Sequence, residues 1–291
     1  MKASVAVMLL GCLQGMAIAR PPVPTAAAPM APAGKWQIDD GLNECRLMRA
    51  FGDPTHPTTF QLTKIDPDSD LPFAFALASE SFRNSHATRT IRISAVDHAA
   101  AQSLSGSVLT VKTGAPAILY VPIAGALNEI VQEDISAGRP TVITVSVDRT
   151  QMSLALGKMA QPISALNACM DDLMRNWGYD PVEQRQLKSR PVSVTPANTW
   201  ANSTDYPEEM LQKNKSGGVT ARLDIGITGE IVGCHVMEAG GDPAFQQATC
   251  AAFRKNGRFQ PAISKDGKPV ASYYPLKIMW ATSSSSIGES F

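Results

Sequence analysis

The chain lacks the features by which most proteins act through charge, metal or a reactive side chain. Its 26 Lys and Arg residues balance 26 Asp and Glu, so no net field draws in a nucleic acid or an anionic membrane. Histidine is scarce: His56, His86, His98 and His235 are the whole set. None of them has H-x-x-x-H spacing, and none neighbours a cysteine or serine in a nucleophile motif. No cysteines are spaced C-x-x-C and no His pair accompanies them, which argues against zinc. Neither a P-loop nor a G-x-G-x-x-G turn is present. Asp171 and Asp172 form a carboxylate pair on an expected helix. Adjacent helical residues point about 100° apart, so the pair reads as a solvated face rather than as acid and base. The expectation is a protein that is no enzyme and needs no cofactor or metal.

A long apolar run is also missing. Residues 1–19 carry Lys2, an apolar stretch over 3–10 and a weaker run to Ala19. Ala17-Ile18-Ala19 gives the small-x-small pattern of a signal peptide, cleaved between Ala19 and Arg20. Gln14 and the Arg20-Pro21-Pro22 stop make the stretch too short to span a bilayer. Two other readings rank below cleavage: a retained inner-membrane anchor, and a loose lipobox, Leu9-Leu10-Gly11-Cys12, that would lipidate Cys12. Ordinary cleavage makes the periplasm the expected location.

What is present suffices for two ordinary domains, since 44% of residues are hydrophobic. Cleavage leaves Cys45, Cys169, Cys234 and Cys250, an even count that suggests disulfides in an exported protein. Four cysteines permit three pairings, and sequence alone does not choose. Location favours Cys45–Cys169 and Cys234–Cys250, which keeps each bridge within one domain.

Residues 20–35 are rich in Pro and Ala and read as an extended, solvated tail. Residues 36–180 read as an α+β domain of unassigned role. Strands are expected around Phe60 and Leu62, Phe73 to Leu77, and residues 90–96, 107–112, 117–122 and 141–147. Residues 44–49 read as a short strand or helical turn. Helices are expected over 126–137 and 162–177, the second with Ile163, Leu166, Met170, Leu173 and Trp177 on one face. Cys169 lies close enough to that face to meet Cys45. Residues 181–204 are polar with Pro181, Pro191 and Pro196, and read as a linker.

Residues 205–281 follow a helix–strand–strand–helix–strand order. Pro207, Glu208 and Glu209 suit a helix start. Val219, Ala221, Leu223, Ile225 and Ile227 alternate with polar residues, giving a strand with one buried face. Gly229 turns the chain, and Val232, Cys234 and Val236 share one face of the next strand. Asp242 caps a helix with Pro243 at its first position and Phe245, Ala248, Thr249, Ala252 and Phe253 on its apolar stripe. Leu276, Ile278 and Trp280 belong to a last strand, whose Pro275 points to a sheet edge. His235 is expected to face solvent. Residues 282–291 are expected to be a disordered tail.

Tyr206-Pro207, the Gly217-Gly218 entry, Arg258-Phe259-x-Pro261-Ala262 and Asp266-Gly267-Lys268-Pro269-Val270 occur in that order before the terminal strand. The segment resembles the C-terminal domain of the TonB family, over about a quarter of the chain. The resemblance implies a helix–strand–strand–helix–strand sandwich with a three-stranded antiparallel sheet. It also implies a binding role, in which an outer-membrane TonB-dependent transporter or another envelope protein adds an extended peptide to the sheet edge. Tyr273, Tyr274, Lys277 and Met279 are the edge residues expected to carry it. The family's energy transducers couple through an uncleaved N-terminal helix to ExbB and ExbD. That alternative requires residues 3–19 to be retained, and no long Pro-rich spacer follows them.

Overall fold

The computed structural model describes residues 28–67, 72–82, 85–99, 101–110, 112 and 114–282. The expected cleavage site at Ala19 and Arg20, the lipobox reading at Cys12 and the expected tail after residue 282 lie outside them.

The first part of the chain is built on alternation of apolar and polar residues. Nine strands form one sheet: β1 (Gln37–Asp40), β2 (Cys45–Phe51), β3 (Thr58–Lys64), β4 (Ala74–Ser79), β5 (Ser85–Ala95), β6 (Gln102–Leu109), β7 (Ala117–Val121), β8 (Thr141–Val147) and β9 (Thr150–Gly157). They lie in the order β1-β2-β3-β4-β7-β6-β5-β8-β9, and every neighbouring pair is antiparallel. Residues 44–49, open between strand and helix in the sequence, lie largely within β2. No element is expected over residues 150–157, yet Met152, Leu154 and Leu156 alternate there and fill the core.

The Pro/Ala-rich stretch is not wholly a solvated tail. Met30 bridges Leu154 and Pro32 bridges Phe51. The Met30 amide donates to the Ser153 carbonyl at 2.7 Å and the Ala33 amide to the Ala50 carbonyl at 2.8 Å. This short segment ties β9, at one end of the sheet, to β2, next to the other end. Proline fits because each partner contact needs a donor only from its non-proline neighbours.

Two helices complete this core. α1 (Gly125–Ala137) packs Leu127, Ile130 and Val131 inward and ends at Gly138 in the left-handed conformation. α2 (Ala160–Asn176) packs against β1 and β2 through Ile163, Leu166, Met170 and Leu173. Cys45 at the start of β2 and Cys169 on α2 stand in disulfide-compatible geometry, Cα atoms 6.1 Å apart.

Residues 181–204 are packed rather than free. α3 (Pro181–Arg185) is capped by the Asp180 side chain and buries Pro181 and Gln184. β10 (Val192–Ser193) pairs with a later strand, and Trp200 is 1% exposed inside the second core. The segment lacks periodicity because its anchors are single residues spaced irregularly, not a repeating face.

The last part contains α4 (Glu208–Gln212), β11 (Gly217–Ile225), β12 (Ile231–Gly240), α5 (Pro243–Asn256), β13 (Phe259–Gln260), β14 (Ala262–Ile263), β15 (Pro269–Val270) and β16 (Ser272–Trp280). A three-stranded antiparallel sheet has the order β12-β11-β16. β13 pairs with β10 and β14 with β15. Phe245, Ala252 and Phe253 of α5 meet Val219, Leu223, Ile225, Leu276 and Ile278 in one cluster. Gly229 at the β11–β12 turn has φ 86°, and a Cβ there would sit 1.8 Å from the Phe259 carbonyl oxygen. Only glycine lets the turn touch β13 this closely. Ile227 and Val232 depart from the expected buried faces: both are exposed, at 58% and 63%, because they flank that turn beyond the reach of α5. Cys234 of β12 and Cys250 of α5 stand in disulfide-compatible geometry, Cα atoms 5.8 Å apart.

Candidate partner-binding edge

β16 pairs with β11 along its whole length, from Ser272 opposite Ile225 to Trp280 opposite Gly217. Its other flank meets no strand among the described residues. Pro275 sits opposite Arg222 with no register shift. A proline fits that register with its nitrogen turned away from β11, towards the open flank. The open flank therefore lacks a donor at Pro275 and carries donors on either side of it.

The side chains of β16 divide between the two faces of the sheet. Tyr274, Leu276, Ile278 and Trp280 lie with the α5 core. Tyr273, Pro275, Lys277 and Met279 lie on the opposite face, across from Asp224, Arg222, Thr220 and Gly218. Of the expected edge residues, Met279 is 45% exposed and Lys277 is half-buried. Tyr274 is half-buried, its ring 4.9 Å from that of Phe259. Tyr273 is 2% exposed. Its ring packs 5.6 Å from both Trp177 and Tyr179, and its hydroxyl donates to Asp66 Oδ1 at 3.2 Å. Tyr273 thus serves the contact between the two parts of the chain.

That contact covers the second face of the small sheet. The Tyr179 hydroxyl lies 3.0 Å from both Asp224 Oδ1 and the Ser272 carbonyl oxygen. Arg222 Nε donates to Asp224 Oδ1 at 3.1 Å, and His235 Nε2 lies 2.6 Å from Asp224 Oδ2. Gln184 Nε2 donates to the Ala271 carbonyl, and the Ser272 hydroxyl donates to Gln184 Oε1. Burial pushes the Tyr179 hydroxyl's pKa up, and the adjacent Asp224 charge adds to the rise. Burial and then Asp66 do the same for Tyr273. Both phenols hold their protons and act as donors. His235 keeps half of its side chain in solvent, on the face away from α5.

The other edge of the sheet is blunted. β11 and β12 slip register between Thr220 and Ala221, and Asn43, from the turn after β1, donates to the carbonyls of Val236 and Met237 there. A bulge plus a side-chain cap is a usual way to disarm an edge.

The remaining residues singled out in the sequence take structural places. Asp171 pairs with Arg185, and Asp172 with Arg175 at 2.5 Å. His98 sits between Glu133 and Asp134, at 3.2 and 2.8 Å. Among the described residues no group of three His, Cys, Asp or Glu side chains is placed to hold a metal ion. No helix among them is long and apolar enough to cross a membrane. Sequence reasoning missed Trp177, Tyr179, Gln184 and Arg222 as members of this site. Trp177 and Tyr179 flank a helix-ending glycine, a weak aromatic signal with no period to interpret.

Residues 202–282 match the family described as Gram-negative bacterial TonB protein C-terminal. The chain carries a TonB-type C-terminal domain, and the open edge lies within it. No curated protein matches the chain, and no solved structure does.

Proposed function

We propose that the protein is a periplasmic TonB-like envelope protein. It binds an outer-membrane TonB-dependent transporter, or another envelope partner, by strand addition to β16. The observation that carries this reading is the unpaired flank of β16 inside a TonB-type domain whose opposite edge is capped by Asn43. An extended peptide laid there gains backbone hydrogen bonds from the strand, while its side chains read Lys277 and Met279 on one face. The 36–180 region acts as a separate folded domain docked on the second face of the sheet, and the exported chain has lost residues 1–19. A chain retaining residues 3–19 as an anchor and working with ExbB and ExbD is the competing outcome.

The test places a photo-crosslinking residue at Met279 of the full-length protein in its host envelope. Crosslinks to a transporter that disappear with Lys277→Pro support strand addition, since proline removes one edge donor. Crosslinks indifferent to Lys277→Pro, or none, overturn it. N-terminal sequencing of the same sample decides the anchor question: Arg20 first excludes the transducer.

A further inference from the structure

Two segments of one charge sign pair with each other beside the small sheet. Residues 186–204 and 243–265 hold Lys188, Arg190, Arg254, Lys255, Arg258 and Lys265 but no Asp or Glu. Val192 of β10 lies opposite Gln260 of β13, and Ser193 opposite Phe259. The same register reaches the Val194 amide, which donates to the Arg258 carbonyl at 2.8 Å, and the Ser189–Ile263 bridge at the other end. Phe259 turns inward and is 4% exposed, while Val192 and Val194 are 52% and 59% exposed beside the exposed Gln260 and Arg258. β14 and β15 carry this ribbon on to a tip where Lys265 and Lys268 are exposed. Lys188 is exposed at the base of the tip, its amide bonded to the Ile263 carbonyl. Asp266 in the tip is the only acid between residues 243 and 282. Several of the cations serve the fold. Arg258 donates to the carbonyls of Gly257 and Arg254, and Arg254 and Lys255 stand in the last turn of α5, where cations suit the negative end of the helix dipole. The Arg190 guanidinium lies 5.9 Å from the centre of the Tyr273 ring. Lys188, Lys265 and Lys268 have no ion-pair partner among the described residues.

We propose that this ribbon is a docking surface for an anionic lipid bilayer, with Lys188, Lys265 and Lys268 on the headgroups and Val192 and Val194 against the boundary beneath them. Four residues separate Lys188 from Val192, roughly 14 Å of strand, a span that one bilayer surface covers. Apolar contact joined to cation attraction is what holds amphipathic segments on anionic membranes. The residue types favour lipid over an acidic protein segment. Arginine's planar fork suits fixed carboxylates, but Arg190 and Arg258 are taken by the Tyr273 ring and by the end of α5. What is left is lysine, a point charge on a flexible stem, which meets a fluid layer of phosphates without a preferred geometry. The zero net charge of the chain does not oppose this, because charges more than about 8 Å from the surface are screened at physiological salt. The surface owes nothing to strand addition at β16 and stands if that reading fails.

The test is co-sedimentation of the full-length protein with vesicles of phosphatidylcholine alone and of phosphatidylcholine and phosphatidylglycerol in equal parts. Residues 1–19 are the same in every variant, so ratios between variants report the ribbon. The unaltered protein is expected to partition more strongly to the anionic vesicles, and high salt to remove the difference. Each lysine at an anionic surface contributes about fivefold, so Lys188→Ala, Lys265→Ala and Lys268→Ala together are expected to lower anionic partition about a hundredfold. The matched triple variant Lys35→Ala, Lys112→Ala, Lys158→Ala, in the large-sheet part, is expected to leave it unchanged. Val192→Ser with Val194→Ser is expected to cost about tenfold. Equal partition of the unaltered protein to both vesicle types overturns the proposal, as does an equal loss in the two lysine triples. Unchanged partition of the valine variant overturns the surface as drawn. A blocked polyglutamate peptide that strips the protein from the vesicles at matched charge makes an acidic segment the occupant and overturns the lipid assignment.

Discussion

The guanidinium of Arg222 lies 4.2 Å from the centre of the Trp177 ring. Arg222 belongs to the small sheet and Trp177 ends the helix that closes the large one. A cation desolvated on an indole face contributes about 2 kcal/mol, and Trp177 also packs edge-on against Tyr273. Trp177→Ala is expected to cost about 3 kcal/mol and to split one calorimetric unfolding transition into two. Trp177→Phe, which keeps a ring, is expected to restore a single transition. One unchanged transition for the alanine variant would count against this contact as the coupling between the two cores.

The phenols beside that pair give a signed pH dependence. Tyr179 and Tyr273 are both raised above the ordinary value, first by burial and then by Asp224 and Asp66. A raised value favours the protonated ring in the folded chain. The associated stability is complete below about pH 10, the unfolded value, and is lost as pH climbs through the folded values. Tyrosinate absorbance should show a late component that shrinks in Tyr179→Phe and again in Tyr273→Phe. If these variants instead remove amplitude from the ordinary range, the burial account is wrong.

Asp134 gives the opposite sign. It is 1% exposed. Burial raises its pKa, but hydrogen bonds from His98 and Arg139 outweigh that and hold the carboxyl below its usual range. The stability it confers is present above the unfolded carboxylate value and is lost as pH falls through the lower, folded one. Asp134→Asn is expected to cost about 2 kcal/mol at neutral pH. It should also flatten the acid limb of a denaturant-midpoint profile. An acid limb of unchanged slope would remove Asp134 from the explanation.

How much of this was legible in the sequence follows from how local each cause is. Val219, Leu223 and Ile225 declared one face of β11 by alternation, because α5 follows within the same short segment. Thr220 and Arg222 declared the other face to be solvent, yet they are 3% and 5% exposed. The cover of Arg222, the Trp177 ring, comes from a distant helix end that no periodicity announces. The pairing of Cys45 with Cys169 was favoured by location and by the place of Cys169 near the apolar face of its helix. Met30 and Pro32, which tie β9 to β2, looked like tail because each makes only one or two contacts amid alanine and proline. The edge at β16 was readable from Pro275, but the contacts of Gln184 with Ala271 and of Arg190 with the Tyr273 ring were not, since both residues sit in a stretch without pattern.

The two cysteine pairs are expected to be bonded in protein purified without reductant. Thiol mapping by mass spectrometry before reduction should find Cys45, Cys169, Cys234 and Cys250 unreactive. The sequence separations are 124 and 16 residues. Chain-entropy reasoning assigns about 4–5 kcal/mol to the first and about 3 kcal/mol to the second. Cys45→Ala with Cys169→Ala should therefore lower the denaturant midpoint more than Cys234→Ala with Cys250→Ala. The reverse order would show that the longer loop is already restrained when unfolded.

Trp200 belongs to the core of the C-terminal sheet. It lies ahead of the motifs that suggest a start at residue 205, and just ahead of the family match at 202. Its ring packs edge-on at 5.8 Å from Phe253 and 5.2 Å from Phe259. Its indole N–H donates to Thr195 Oγ1 at 2.8 Å, and its carbonyl accepts from Asn256 Nδ2 at 2.6 Å. A ring buried to 1% with both polar groups paired is a core anchor. Removing it opens a cavity that α5 and β13, held by Cys250 and Gly229, cannot close. Trp200→Ala is expected to cost about 4 kcal/mol. A fragment of residues 205–282 should melt well below one of residues 190–282. Equal melting points by circular dichroism would mean that the tryptophan decorates the core rather than completing it.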